Sequence, residues 1–185
     1  MKVWKMLLIV IVIIGVFSVV SCDTREKEQN GNGTVNDYDS VTVQQITLKW
    51  KTDTLGMLHI IVSAPTTGWV SVGFDPTAGM QDANIIIGYV TSGGAFARDD
   101  YGTTPTAHAS DMSGGGENNI TNASGNEAEG STEITFTIPL DSGDARDRPL
   151  TQGNTYTVIL AYGADGVDDF DTRHAVRTST RIDIQ

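Results

Sequence analysis

From Val41 onward the chain alternates. Val41-Thr42-Val43-Gln44 and Ile46-Thr47-Leu48-Lys49-Trp50 set apolar against polar residues with a period of two, and Leu58, Ile60 and Val62 alternate with Met57, His59 and Ile61. Trp69-Val70-Ser71-Val72-Gly73-Phe74 continues the pattern. Further strand-like runs span Ala83 to Thr91, Ala95 to Arg98, Thr132 to Ile138, Thr155 to Tyr162 and Thr180 to Ile184. Successive side chains of a strand point to opposite faces, so this period turns one apolar face per strand toward a core, and no window of helical length holds a 3.6 period. Turn residues separate the runs at Ala64-Pro65-Thr66-Thr67-Gly68, Asp75-Pro76, Ser92-Gly93-Gly94, Asp141-Ser142-Gly143-Asp144 and Gln152-Gly153-Asn154. Short strands at this spacing predict an all-β fold, an antiparallel, immunoglobulin-like β-sandwich. Residues Asp111 to Ser131, with Gly114-Gly115-Gly116 and several asparagines, are too polar for a strand and are expected to form a long surface loop.

The first residues do not belong to that fold. Lys2 and Lys5 precede an apolar run from Met6 to Val20, broken only by Gly15 and Ser18, and Val19-Val20-Ser21-Cys22 closes the segment with small residues before cysteine. This pattern resembles a bacterial lipoprotein signal with its lipobox. The apolar run, about 15 residues, is shorter than the roughly 20 that a membrane span needs. The resemblance implies that residues 1–21 are removed and that Cys22, acylated, becomes the mature N-terminus. It also implies an extracytoplasmic protein lipid-anchored to a bacterial membrane. After Cys22 only Val35 and Tyr38 are large apolar residues up to Ser40. Such a stretch buries too little surface to offset its ordering entropy, so residues 22–40 are expected to be a tether and residues 41–185 the folded domain.

Composition excludes several functions. The single cysteine can form neither an internal disulfide nor a multi-thiolate zinc or iron–sulfur site. With 12 Lys and Arg against 23 Asp and Glu the net charge is −11, and loss of Lys2 and Lys5 with the signal leaves ten basic against 23 acidic residues, a net −13. Binding nucleic acid requires a basic face, so no nucleic-acid partner is expected. No Ser-His-Asp grouping, phosphate loop or paired-carboxylate motif can be placed, and no enzymatic activity is expected.

Two segments carry the most specific information. One runs Gly68-Trp69-Val70-Ser71-Val72-Gly73-Phe74-Asp75-Pro76-Thr77-Ala78-Gly79-Met80-Gln81-Asp82-Ala83-Asn84 and on through an apolar strand to Tyr89. The other is Leu160-Ala161-Tyr162-Gly163, followed by an acidic stretch and Thr172-Arg173-His174. From Ile46 to Ile184 the sequence resembles the DOMON family, in particular the haem-b-binding cytochrome domain of cellobiose dehydrogenase and its prokaryotic relatives. The shared pattern is a Gly-Trp strand, a loop with Gly-Met before an acidic-small pair, an apolar strand, and a late histidine after an aromatic strand.

The resemblance implies that Met80 and His174 are the two axial ligands of a haem iron in a cavity between the sheets. A thioether and an imidazole suit electron transfer and leave no position open for substrate. With no Cys-x-x-Cys-His the cofactor would be haem b, held noncovalently, passing electrons to a redox partner protein. Trp50, Trp69 and Tyr162 are candidates to flank the porphyrin, and Arg177 to pair with a propionate. The alternative is a haem-free module that binds a sugar or another small ligand. His108, in a polar loop, is the reserve ligand, and His59 is expected to be a partly exposed strand residue. Asp165, Asp168, Asp169 and Asp171 lack the spacing of a calcium loop and are expected to give the haem's approach a negative potential.

Overall fold

The computed structural model describes residues 38–185, in which the alternating runs form two antiparallel sheets, with no α-helix among the described residues. The five-stranded sheet runs β1 (Asp39–Val43), β2 (Ile46–Thr52), β3 (Met57–Ala64), β9 (Ser131–Pro139), β8 (Thr121–Ala128). The six-stranded sheet runs β11 (Val176–Asp183), β10 (Thr155–Tyr162), β4 (Val70–Phe74), β5 (Asn84–Thr91), β6 (Gly94–Thr104), β7 (Ala107–Ser110). This is the expected β-sandwich. The first strand begins at Asp39 rather than Val41, just after Tyr38, whose ring lies under Lys51 Nζ at 4.6 Å. The signal segment, Cys22 and most of the expected tether lie outside the described residues.

Alternation determines which side chains meet. Ile46, Leu48 and Trp50 on β2, Leu58, Ile60 and Val62 on β3, and Ile134, Phe136 and Ile138 on β9 turn toward Val70, Val72 and Phe74 on β4 and Val158 and Leu160 on β10. Cross-strand neighbours such as Ile60 and Phe136, or Val72 and Leu160, stack these residues along each sheet. Trp50 belongs to this core, and its Nε1–H donates to the Asp183 carbonyl at 2.9 Å, joining β2 to β11. It does not flank a cofactor cavity.

The centre of the six-stranded sheet departs from simple alternation. Every residue of β4 is buried, and on β5 Ile85, Ile86 and Ile87 are all buried although they alternate in direction. One face of these strands is covered by the opposing sheet. The other must be covered by something else.

Residues Asp111 to Ser131 are not one long loop. Asp111–Gly114 form a 3₁₀ turn, and Thr121–Ala128 form β8, hydrogen-bonded to β9 alone. A strand with a single partner and exposed side chains needs no apolar face, which is why its polarity misleads. Charged and polar residues on such an edge also discourage pairing with other chains. Gly125 lets the edge fold over the core, since a Cβ there would lie 2.6 Å from Ile134 Cδ1.

Phe136, fully buried between the sheets, is expected to cost about 3–5 kcal/mol when replaced by alanine. Asn126→Ala, on exposed β8, should stay within about 0.5 kcal/mol of the parent. Urea unfolding curves measure both, and equal losses would mean that the core is not where these strands place it.

Candidate functional site

Ser71 and Gly73 on β4, Ile85 and Ile87 on β5, and Ile159 and Ala161 on β10 point away from the core. They form the floor of a cavity of about 790 Å³, within the range of small-molecule and cofactor pockets. The cavity therefore lies on the outer face of the six-stranded sheet and not between the sheets as expected. Three segments cover it: the β4–β5 loop carrying Met80, the turn at Pro105 and Thr106 between β6 and β7, and the β10–β11 loop carrying His174.

The Met80 loop is fixed by backbone hydrogen bonds. Thr77 N–H donates to Gln81 O at 2.9 Å, Met80 N–H to Pro105 O at 3.1 Å, Asp82 N–H to Gly102 O at 2.9 Å and Ala83 N–H to Met80 O at 3.1 Å. Two glycines make this possible. Gly79 has φ +61° and lies against the Pro105 carbonyl, and a Cβ on Gly102 would fall 1.5 Å from Met80 O. The loop is thus fastened to the β6–β7 hairpin, with the half-buried Met80 side chain lining the cavity.

The His174 loop is braced differently. Asp169 Oδ1 accepts the N–H groups of Asp171 and Thr172 at 2.9 and 2.7 Å, and its Oδ2 accepts the Thr172 hydroxyl at 2.7 Å. The Thr172 hydroxyl and the two amides hold the Asp169 carboxyl below the usual carboxylate range. Phe170 packs on Tyr89 with ring centroids 4.9 Å apart, and the Arg98 guanidinium stacks 4.7 Å from its ring. Ala175 N–H then donates to Tyr162 O at 2.8 Å, leading the chain into β11. His174 is half-buried. Burial, then the Arg177 and Arg173 charges, push its pKa down, leaving the imidazole neutral at pH 7 as a metal ligand must be.

A buried ion network stands behind His108, which lines the cavity. Asp100, fully buried on β6, accepts Arg98 Nε–H and Nη2–H at 2.6 and 2.8 Å and is 2.5 Å from His108 Nδ1. Burial alone would raise the Asp100 pKa, but the bonds from His108 and Arg98 outweigh it and hold the group as a carboxylate. Arg98 also reaches Phe170 O at 3.4 Å and Asp171 Oδ1 at 3.3 Å, tying β6 to the His174 loop. His108 lies on strand β7, not in a polar loop, and lines the cavity with Nδ1 committed to Asp100. The sequence alone shows Arg98 and His108 but not Asp100 set between them, since the pairing depends on how β7 folds back beside β6.

The remaining candidates divide. Trp69 lines the cavity, is 4% exposed, and carries a buried Nε1–H with no partner. Gly163 presses on its ring, where a Cβ would come 2.6 Å from Nε1. Arg177 stands with Arg173 on the cavity rim. Tyr162 faces the core side of β10 with Val158 and Leu160 and is not among the lining residues. His59 is on the outer face of the other sheet, bonded to Asp53 at 2.9 Å and Thr137 at 3.1 Å, away from the cavity. The acidic stretch is a constructed loop: Asp165 accepts the Thr67 N–H, Asp169 makes its turn, and Asp171 meets Arg98. With Arg173 and Arg177 beside Asp171, the rim carries both signs of charge.

The cavity thus gathers Met80, His174, His108, Trp69 and two arginines over an isoleucine floor. Two solved structures share this architecture. The cytochrome b domain of pyranose dehydrogenase from Coprinopsis cinerea superposes with a TM-score of 0.59 at 13% identity, over 79% of this chain and 81% of that one. The cytochrome domain of Myriococcum thermophilum cellobiose dehydrogenase gives 0.52 at 8% identity, over 80% and 83%. At these identities the likeness is one of fold. A family model described as the DOMON domain matches residues 42–163, from the second residue of the expected domain to the glycine packed on Trp69. This chain belongs to the DOMON domain family.

Proposed function

We propose that the protein is a lipid-anchored, extracytoplasmic b-type cytochrome domain that carries single electrons. The observation behind this reading is that Met80 and His174, on loops from different ends of the chain, line one cavity. The residues present fit haem. Ile85, Ile87 and Ile159 offer an apolar surface to a porphyrin face, and Gly73 keeps that surface low between them. Arg173 and Arg177 suit propionates through charge-assisted hydrogen bonds, and the orphaned Trp69 Nε1–H is a further donor for an acceptor on the ligand. Met80 and His174 would hold such a group through a thioether and an imidazole, and it would supply one-electron chemistry.

The chain's own residues supply the rest. Burial and then the flanking Arg177 and Arg173 push the His174 pKa down, which favours the neutral imidazole that ligation requires. His108 lines the same cavity with Nδ1 bonded to Asp100, the arrangement by which a carboxylate orients a ligating or hydrogen-bonding imidazole. The loop bonds to Pro105 and Gly102 keep Met80 from swinging out, and a fixed ligand limits reorganisation when charge changes. The overall acidity favours encounter with a basic redox partner, through the association rate. Anchoring rests on the lipobox-like segment ending at Cys22.

Protein produced with haem available should show a six-coordinate, low-spin b-type spectrum that sharpens on reduction, and acid–acetone should extract the haem. A colourless but folded, β-rich protein after reconstitution would replace this reading with the haem-free ligand-binding one. Met80→His should retain haem and lower the reduction potential by a measurable part of the roughly 0.8 V that axial ligands span, whereas His174→Ala should weaken haem retention. If both variants keep the parent spectrum and potential, these are not the ligands.

Gly102→Ala should leave the sandwich folded but displace the Met80 carbonyl, speeding hydrogen exchange at the Met80 and Asp82 amides and weakening the methionine ligand's spectral signature. Unchanged exchange there would mean that the hairpin does not position the loop. Cys22→Ser should release the protein from the membrane fraction, because two acyl chains on one cysteine hold where a single chain holds only marginally. An intact Met1 on mature protein, found by mass spectrometry, would argue for an uncleaved signal instead.

A further inference from the structure

Strand β6 has a second face. Asp99, next to Asp100 but turned the other way, lies in register with the core residue Ile86 and is 2% exposed. Asp111, the first residue of the 3₁₀ turn, is fully buried, and Asp147 on the β9–β10 loop is half-buried. One carboxylate oxygen from each of the three lies within 4.8 Å of the other two.

These carboxylates are not satisfied by the protein. Asp99 Oδ2 accepts Asn119 N–H at 2.8 Å and Asp147 Oδ2 accepts the Ser142 hydroxyl at 2.5 Å. Asp99 Oδ1, Asp147 Oδ1 and both oxygens of Asp111 are buried without a partner, and so is Oδ1 of Asn119 beside them. Among the described residues no basic side chain bonds to the cluster. The nearby Arg146 stacks 4.4 Å over the Tyr101 ring and donates to Gly114 O at 2.8 Å. Asp144 is occupied by the amides of Glu117 and Arg146. Buried, unpaired acids are costly: desolvation and the neighbouring carboxylates push Asp99 up to about 8 and Asp111 up to about 7.

We propose that Asp99, Asp111 and Asp147, with Asn119 Oδ1, form a calcium site that fastens the 3₁₀ turn and the β9–β10 loop to β6. Two oxygens bound to one Ca²⁺ at about 2.4 Å can be no more than about 4.8 Å apart, the limit this cluster meets. Three oxygens lie within reach of one ion, and the second Asp111 oxygen, Asn119 Oδ1 and water are available to bring the shell to the six to eight that calcium takes. Magnesium, which requires near-ideal octahedral geometry and gives up water reluctantly, suits so enclosed a site less well. The absence of histidine and cysteine from the donor set disfavours zinc. Both oxygens of fully buried Asp111 lack any protein partner, which is the feature that an ordinary solvated acidic patch does not share. The site is on the face of β6 opposite the cavity and does not depend on haem.

The test uses the purified chain stripped with EDTA, then titrated with calcium chloride by calorimetry and melted with and without calcium. One Ca²⁺ per chain is expected, with a Tm increase of roughly 5–10 °C when free calcium is about a hundredfold above Kd. Magnesium should raise Tm less. Asp111→Asn should weaken calcium binding at least about tenfold, the scale on which even outer-shell partners of a metal act, while melting no lower than the parent in EDTA because a repelling charge is gone. Asp147→Asn should act alike, and Glu127→Gln on exposed β8 should bind as the parent does. No calcium heat together with identical melting in calcium and EDTA would overturn the site. So would parent-like affinity in both aspartate variants.

Discussion

Strands β4 and β5 carry buried side chains on both faces, with the half-buried Ile159 and Ala161 of β10 extending the outer one, and the rest of the molecule is arranged around that fact. A sheet buried on both sides needs two covers. The five-stranded sheet supplies one, with Leu58, Ile60 and Phe136 packed against Val72 and Leu160. The other consists of loops, which carry their own backbone polar groups and cannot close into a second dry core. They bridge over Ile85, Ile87 and Ile159 and leave a cavity.

This double burial was written in the sequence at Ile85-Ile86-Ile87, an unbroken apolar run within otherwise alternating strands. Such runs mark strands buried on both faces, and reading them that way would have placed the cavity outside the sandwich. Alternation elsewhere located most strands well, because a period of two depends only on backbone geometry and a one-sided core. It failed at β7 and β8, edge strands held by hydrogen bonds to a single neighbour, where the half-buried residues of β7 and the exposed ones of β8 carry no apolar pattern. Met80 and His174 were legible through their motif context and meet at one cavity. Tyr162 was not, since its direction depends on the parity of β10: Val158, Leu160 and Tyr162 share the core side while Ile159 and Ala161 face the cavity.

Parity also separates Asp99 from Asp100. Adjacent in sequence and alike in composition, they face opposite sides of β6 and meet different surroundings. Asp100 finds a guanidinium and an imidazole, which together outweigh the cost of its burial. Asp99 finds two more carboxylates, which add to that cost. No charge count along the chain distinguishes the two. A net charge of −11 describes the encounter field, whereas these residues answer to neighbours within a few ångströms.

Strand β6 and its hairpin to β7 therefore do more than extend the sheet. Gly102 and Pro105 receive the backbone bonds of the Met80 loop, while Arg98 receives Phe170 and Asp171 of the His174 loop. Both loops over the cavity are thus tied to one hairpin, the His174 loop being held as well by its bonds to Thr67, Trp69 and Tyr162. The placement of Met80 relative to His174 then depends on how firmly β6 is held as well as on each loop's own turns. Its outer face is held by the Asp100 network. Its inner face meets the 3₁₀ turn and the β9–β10 loop at Asp99, where the acids lack partners and resist ionising side by side. A cation there would reverse the sign of that interaction and stiffen, from behind, the strand that positions both sides of the cavity.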